Sequence, residues 1–107
     1  MRDPDLHRRL DALGARVGTP DADEREVEDL LTEGYARALA GEAQSRRIAR
    51  ELTRLLPDID QPAVAKEARR LALQRRTVDQ AVADLRDKLA QLRDGMSAAS
   101  GRTSASA

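Results

Sequence analysis

Cysteine, tryptophan and phenylalanine are all absent from this 107-residue chain, and Tyr35 is its single aromatic residue. Without thiols there is no disulfide, no thiolate nucleophile and no cysteine-based metal site. Without aromatics the chain lacks the side chains that supply much of the buried area in a compact globular core. Long apolar runs are missing too. No stretch approaches the roughly 18 to 20 apolar residues that span a bilayer, so no membrane partner is expected. The first 20 residues are studded with charge and have no apolar middle of the kind a secretion signal carries, so a cytoplasmic location is expected. Four prolines punctuate the chain and none falls inside an apolar repeat.

What remains is charge and aliphatic carbon. Charged residues make up 36% of the sequence, and the apolar ones are Leu, Val, Ile and Ala. That composition suits long helices with thin helix-to-helix seams and argues for an all-α fold. Net charge is zero but unevenly spread. Residues 1–44 carry 6 basic and 11 acidic side chains, residues 45–76 carry 9 and 4, and residues 77–107 carry 4 of each.

The prolines divide the chain into three predicted helices. Asp3-Pro4 and Thr19-Pro20 each pair a good N-cap residue with proline at the first helical position, where its missing N–H costs nothing. Pro57 stops the second helix after Leu55-Leu56. Pro62 lies in the first turn of the third, with Asp60 as N-cap and Ile59 and Val64 placed as a hydrophobic staple. The predicted helices are 4–17, 20–56 and 61–94, capped by Gly18 after the first and Gly95 after the last. Residues 1–96 then form a single helical domain. Residues 97–107 have no apolar pattern and are expected to be a disordered tail.

The second and third helices each hold a heptad register for about five repeats. One seam is Val27, Leu31, Gly34, Ala38, Gly41, Ser45, Ile48, Leu52 and Leu55. The other is Val64, Ala68, Leu71, Arg75, Val78, Val82, Leu85, Leu89, Leu92 and Met96. The connection from Pro57 to Asp60 is so short that the two helices are antiparallel neighbours in a coiled-coil hairpin. Folding back there sets Ile48 opposite Leu71, Gly41 opposite Val78, Gly34 opposite Leu85 and Leu31 opposite Leu89. Small residues thus face large ones through the middle.

The first helix carries Leu6, Leu10, Leu13 and Val17 on one stripe and is too short to stand alone. It is expected to pack across the open end of the hairpin near Val27, Leu30, Leu89 and Leu92; the same surface also suits a domain-swapped partner. Leu30, Tyr35, Leu39, Ala43 and Leu56 lie beside the second helix's seam, and Leu73 lies on the far side of the third. These apolar positions exceed what a two-helix seam uses. Together with the stripe of the first helix they are the candidate partner or oligomer surface.

Four other features bear on function. Gly34, Ala38, Gly41 and Ser45 form a small-residue run, read as close backbone approach or as a groove for a partner helix. Arg75 interrupts an aliphatic seam and is expected to contact Glu42, its stem lying along the seam. Arg46, Arg47, Arg50, Arg54, Lys66, Arg69, Arg70, Arg75 and Arg76 gather on the loop half of the hairpin, a candidate anion-binding patch that lacks aromatics for base stacking. Asp21, Asp23, Glu24, Glu26, Glu28, Asp29 and Glu33 crowd the start of the second helix, where the dipole favours the first of them but not the last. His7, the only histidine, is expected at the surface.

No phosphate-binding loop, metalloprotease motif or nucleophile elbow occurs, so neither a catalytic centre nor a cofactor or metal is expected. The reading is a cytoplasmic helical interaction module, an adaptor or regulator associating with itself or with an unlike helical partner. The alternative is a nucleic-acid-associated protein that uses the basic half.

Overall fold

The computed structural model describes residues 4–16 and 23–105. Three α-helices account for nearly all of them: α1 (Pro4–Arg16), α2 (Glu24–Leu55) and α3 (Pro62–Ala105). A single 3-10 turn, Leu56–Asp58, follows α2. Helices α2 and α3 run antiparallel as the long hairpin, and the molecule is a rod 68 Å long and 22 by 15 Å across.

The helix ends differ from the proline punctuation in instructive ways. The described start of α2 is Glu24, not Pro20. Asp23 is extended, with φ −88° and ψ 120°, and its carboxylate accepts a hydrogen bond from the Arg25 N–H at 3.0 Å. A carboxylate N-cap followed by Glu24 and Glu26 sets the boundary there, by capping and by charge at the positive end of the dipole. Val17, Gly18, Thr19 and Pro20 lie outside the described residues, so the predicted cap at Gly18 and start at Pro20 do too. At the hairpin turn the last position before α3 is Gln61, whose carbonyl accepts from the Ala65 N–H at 2.9 Å. Pro62 is thereby the first helical residue, and Asp60 sits one position too early to cap. Ile59, the intended staple residue, is 43% exposed.

At the far end α3 keeps helical backbone past Asp94 to Ala105. Gly95 therefore does not cap it. The residues beyond are mostly Ala and Ser, whose helix propensities allow the helix to continue. The apolar pattern does end near Met96, the last residue packed on the core.

Two apolar clusters hold the rod together. The larger joins all three helices at the open end: Leu6, Leu10 and Leu13 of α1 pack with Val27, Leu30 and Ala38 of α2 and Leu85, Leu89 and Leu92 of α3. The smaller is a two-helix seam of Ile48, Leu71 and Val78, with Leu52, Leu55 and Val82 half-covered around it. The rod thus has a three-helix head and a bare two-helix arm.

The side chains along the seam meet one turn away from the level pairing expected from the fold-back. A methyl group on Gly34 would overlap Leu89, not Leu85, and one on Gly41 would lie 2.5 Å from Val82 Cγ2, not against Val78. The cause is the tilt of every Cα–Cβ bond toward its own helix's N-terminus. In an antiparallel pair, position 34 leans toward the open end while Leu89 leans back toward the turn, so the two converge.

These glycines permit close approach of the helices, and Gly14 provides the contrast. A methyl group there would meet nothing within 4 Å. Gly14→Ala is expected to raise stability by about 0.5–1 kcal/mol, the ordinary helix gain. Gly34→Ala forces a fully buried Leu89 to move and is expected to lower stability by about 1–2 kcal/mol despite that gain. Thermal melts of the two variants check this; a stabilised Gly34→Ala would contradict the packing.

Candidate helix-surface interaction site

Three ion pairs clamp α1 onto the head. Arg9 donates to Glu33 at 2.6 Å and Arg16 to Glu26 at 3.1 Å, both on α2. Lys88 of α3 lies 3.0 Å from the Asp11 carboxylate. These pairs give Glu33 a role that the helix dipole did not, and Glu26 a second role beside it. Glu24, Glu28 and Asp29 form no ion pair among the described residues.

The clamp also defines which face α1 covers. Glu26, Leu30 and Glu33 recur at spacings of four and three, so they share the strip of α2 under α1. A second strip at the same spacings lies on the other side of the seam: Glu24, Glu28, Leu31, Tyr35, Leu39, Glu42 and Arg46. Leu31 and Tyr35 are half-buried against the core, whereas Leu39 is 60% exposed. The three apolar residues occupy the middle of that strip, with acids toward the open end and arginine toward the arm. On α3 the matching face carries Ala83, Arg86 and Ala90. Arg86 Nε donates to Glu42 at 2.8 Å, and its Nη2 donates to the same oxygen, across this α1-free face.

That ion pair corrects the partner expected for Glu42. Arg75 instead donates from Nε to the Ser45 hydroxyl at 3.2 Å and lies 3.9 Å from Asp79. Its aliphatic stem runs along the seam while its head reaches water, so a charge in the apolar register is tolerated. Ser45, buried, supplies the acceptor.

The other sequence-predicted positions fall as follows. All nine basic residues of the arm are exposed. Arg46, Arg47, Arg50 and Arg54 lie on the side of α2 away from Ile48 and Leu52, and Lys66, Arg69 and Arg76 lie on the side of α3 away from Leu71 and Val78. They flank the arm on both edges and do not converge on one face. Arg54 pairs with Glu51 at 3.1 Å and Arg70 with Glu67 at 2.5 Å. The hydrogen bonds from Arg70 hold the Glu67 carboxyl below its ordinary range, opposed by partial desolvation and aided by the Arg70 charge. Their stabilising effect is therefore present above that range and fades as pH falls through it, weakly, because water reaches both groups. Arg46, Arg47, Arg50, Lys66, Arg69 and Arg76 make no ion pair among the described residues.

Leu56 and Leu73 stand 60% and 63% exposed, Leu73 among the cations of the α3 edge. Leu6, Leu10 and Leu13 are spent on the head core, and Val17 lies outside the described residues. His7 is buried, not at the surface. It lies beside Leu6 and Arg37 at a cleft of about 270 Å³ whose floor includes Gly41, Val78 and Val82. Its place three residues before Leu10, on the edge of the leucine stripe, is the signal that marked it for burial. Among the described residues there is no cluster of three or more metal-ligating side chains and no helix long and apolar enough to cross a membrane.

Comparison with protein-family models finds no match, and neither the curated proteins nor the solved structures yield a similar chain.

Proposed function

We propose that this chain is a cytoplasmic, non-enzymatic helical interaction module, an adaptor or regulator that acts by presenting helix surfaces and associates through them. The observation that carries this reading is the α1-free strip of Leu31, Tyr35 and Leu39. It is apolar, continuous with the core and left open where α1 covers the opposite side. Helix faces of this kind bind other helices through residues at spacings of three and four.

The test is Leu39→Asp. Leu39 contributes little to the core, so its melting temperature is expected to stay within a few degrees of wild type while association is lost. Sedimentation velocity with far-UV circular dichroism checks both. Unchanged association with an intact fold would sink the reading.

A second reading rests on the six arm cations without acidic partners. They suit phosphates, and the expected signature is binding to duplex DNA or RNA that weakens steeply as salt rises. Fluorescence anisotropy at low salt decides it: no binding by the wild type removes this option.

A further inference from the structure

The α1-free strip is graded in charge as well as open. Along α2 it begins with Glu24 and Glu28, passes through Leu31, Tyr35 and Leu39, then Glu42, whose charge is matched within the chain by Arg86, and ends with Arg46 and Arg50. Neither the two acids nor the two arginines are paired within the chain among the described residues, although α1 and the seam use many of their neighbours. A surface that is acidic at one end, apolar in the middle and basic at the other complements itself when turned end for end.

We infer that the partner of this strip is a second copy of the chain, docked antiparallel about a two-fold axis close to Tyr35 and Leu39. Resting on the interaction reading above, this geometry names the partner and its register. Arg46 and Arg50 lie along the partner's Glu28 and Glu24, and the same pairs repeat on the other side of the axis, as an isologous interface requires. Tyr35 and Leu39 meet their counterparts at the centre, beside the internally paired Glu42 and Arg86. From Glu24 to Arg50 the strip runs about 39 Å at the standard helical rise, so two copies docked in this register overlap along most of the 32-residue α2. Leu73 offers no rival surface, since it is a single exposed side chain among charges.

The register is tested by charge exchange. Arg46→Glu with Arg50→Glu sets four acids against one another at each end of the interface. Glu24→Arg with Glu28→Arg does the same with four cations. Each double variant alone is expected to dimerise at least about tenfold more weakly than wild type. An equimolar mixture of the two restores opposite charges at both ends and is expected to return to within about threefold of wild-type affinity. All four positions are exposed, and circular dichroism confirms that the fold is kept. Because the chain has no cysteine, Leu39→Cys gives a second readout: it forms a disulfide-linked dimer on mild oxidation, whereas Leu73→Cys does not. A wild type that associates while the mixture stays monomeric overturns the antiparallel register and leaves the interaction reading in place. A wild type that is monomeric throughout overturns the self-pairing itself. Cross-linking through Leu73→Cys in preference to Leu39→Cys overturns the choice of face.

Discussion

Replacing Leu89 by alanine is expected to cost about 2–5 kcal/mol, a large part of the stability of a domain this size. Leu89 is fully buried where the three helices meet. Its side chain fills the space left by the absent Cβ of Gly34, so truncation opens a void that a backbone already in close approach has little means to collapse. Chemical denaturation should show a lowered midpoint with a single transition. Leu52→Ala, in the half-covered arm, should cost much less, because the seam there is bounded by water on both faces. Equal losses at the two sites would mean that the head does not carry the stability assigned to it.

The contrast between Leu89 and Leu52 shows what was legible from residue order. Heptad spacing and a four-residue connection were enough for the antiparallel hairpin, because both constrain the chain locally. The leucine stripe of α1 likewise pointed to the open end. Heptad spacing treats all seam positions alike, however, and the difference between head and arm arises only from where α1 comes to rest. The side-chain pairing was displaced by a turn because level pairing ignores the tilt of the Cα–Cβ bonds. Glu42 was matched to Arg75 for the same reason: its side chain leans toward the open end, where it meets Arg86. Gly95 misled as a cap, since a glycine ends a helix only where the following residues disfavour helix, and the Ala- and Ser-rich continuation does not.

The second large effect is expected from Leu10→Asp. Leu10 sits in the centre of the α1 stripe, buried between Leu6 and Leu13. Burying a carboxylate there without a partner is far more costly than releasing the helix. At 13 residues, α1 is too short to remain helical once detached. The variant should lose helicity equivalent to α1 and melt at a much lower temperature. It should also be cut by trypsin at Arg8 and Arg9, sites protected in the wild type by helical structure. Release of α1 uncovers Val27, Leu30 and Leu92 as well, so the variant should associate more, in contrast to Leu39→Asp. Full helicity and wild-type protease resistance in Leu10→Asp would show that α1 is not held by its leucines.

These two substitutions separate the apolar surfaces by their roles. The face under α1 holds the fold together, and the strip opposite is the one proposed for association. The ion pairs divide in the same way. Arg9, Arg16 and Asp11 hold α1 in place, whereas Glu24, Glu28, Arg46 and Arg50 make no ion pair among the described residues and are the ones assigned to the proposed partner.

The most direct test of the central claim is the solution mass of the wild-type protein by light scattering from micromolar to millimolar concentration, with circular dichroism on the same samples. The expected result is a highly helical protein at every concentration, its mass rising from 11.7 kDa toward twice that value. A fully helical protein whose mass stays at 11.7 kDa throughout would contradict self-association through the open helix face.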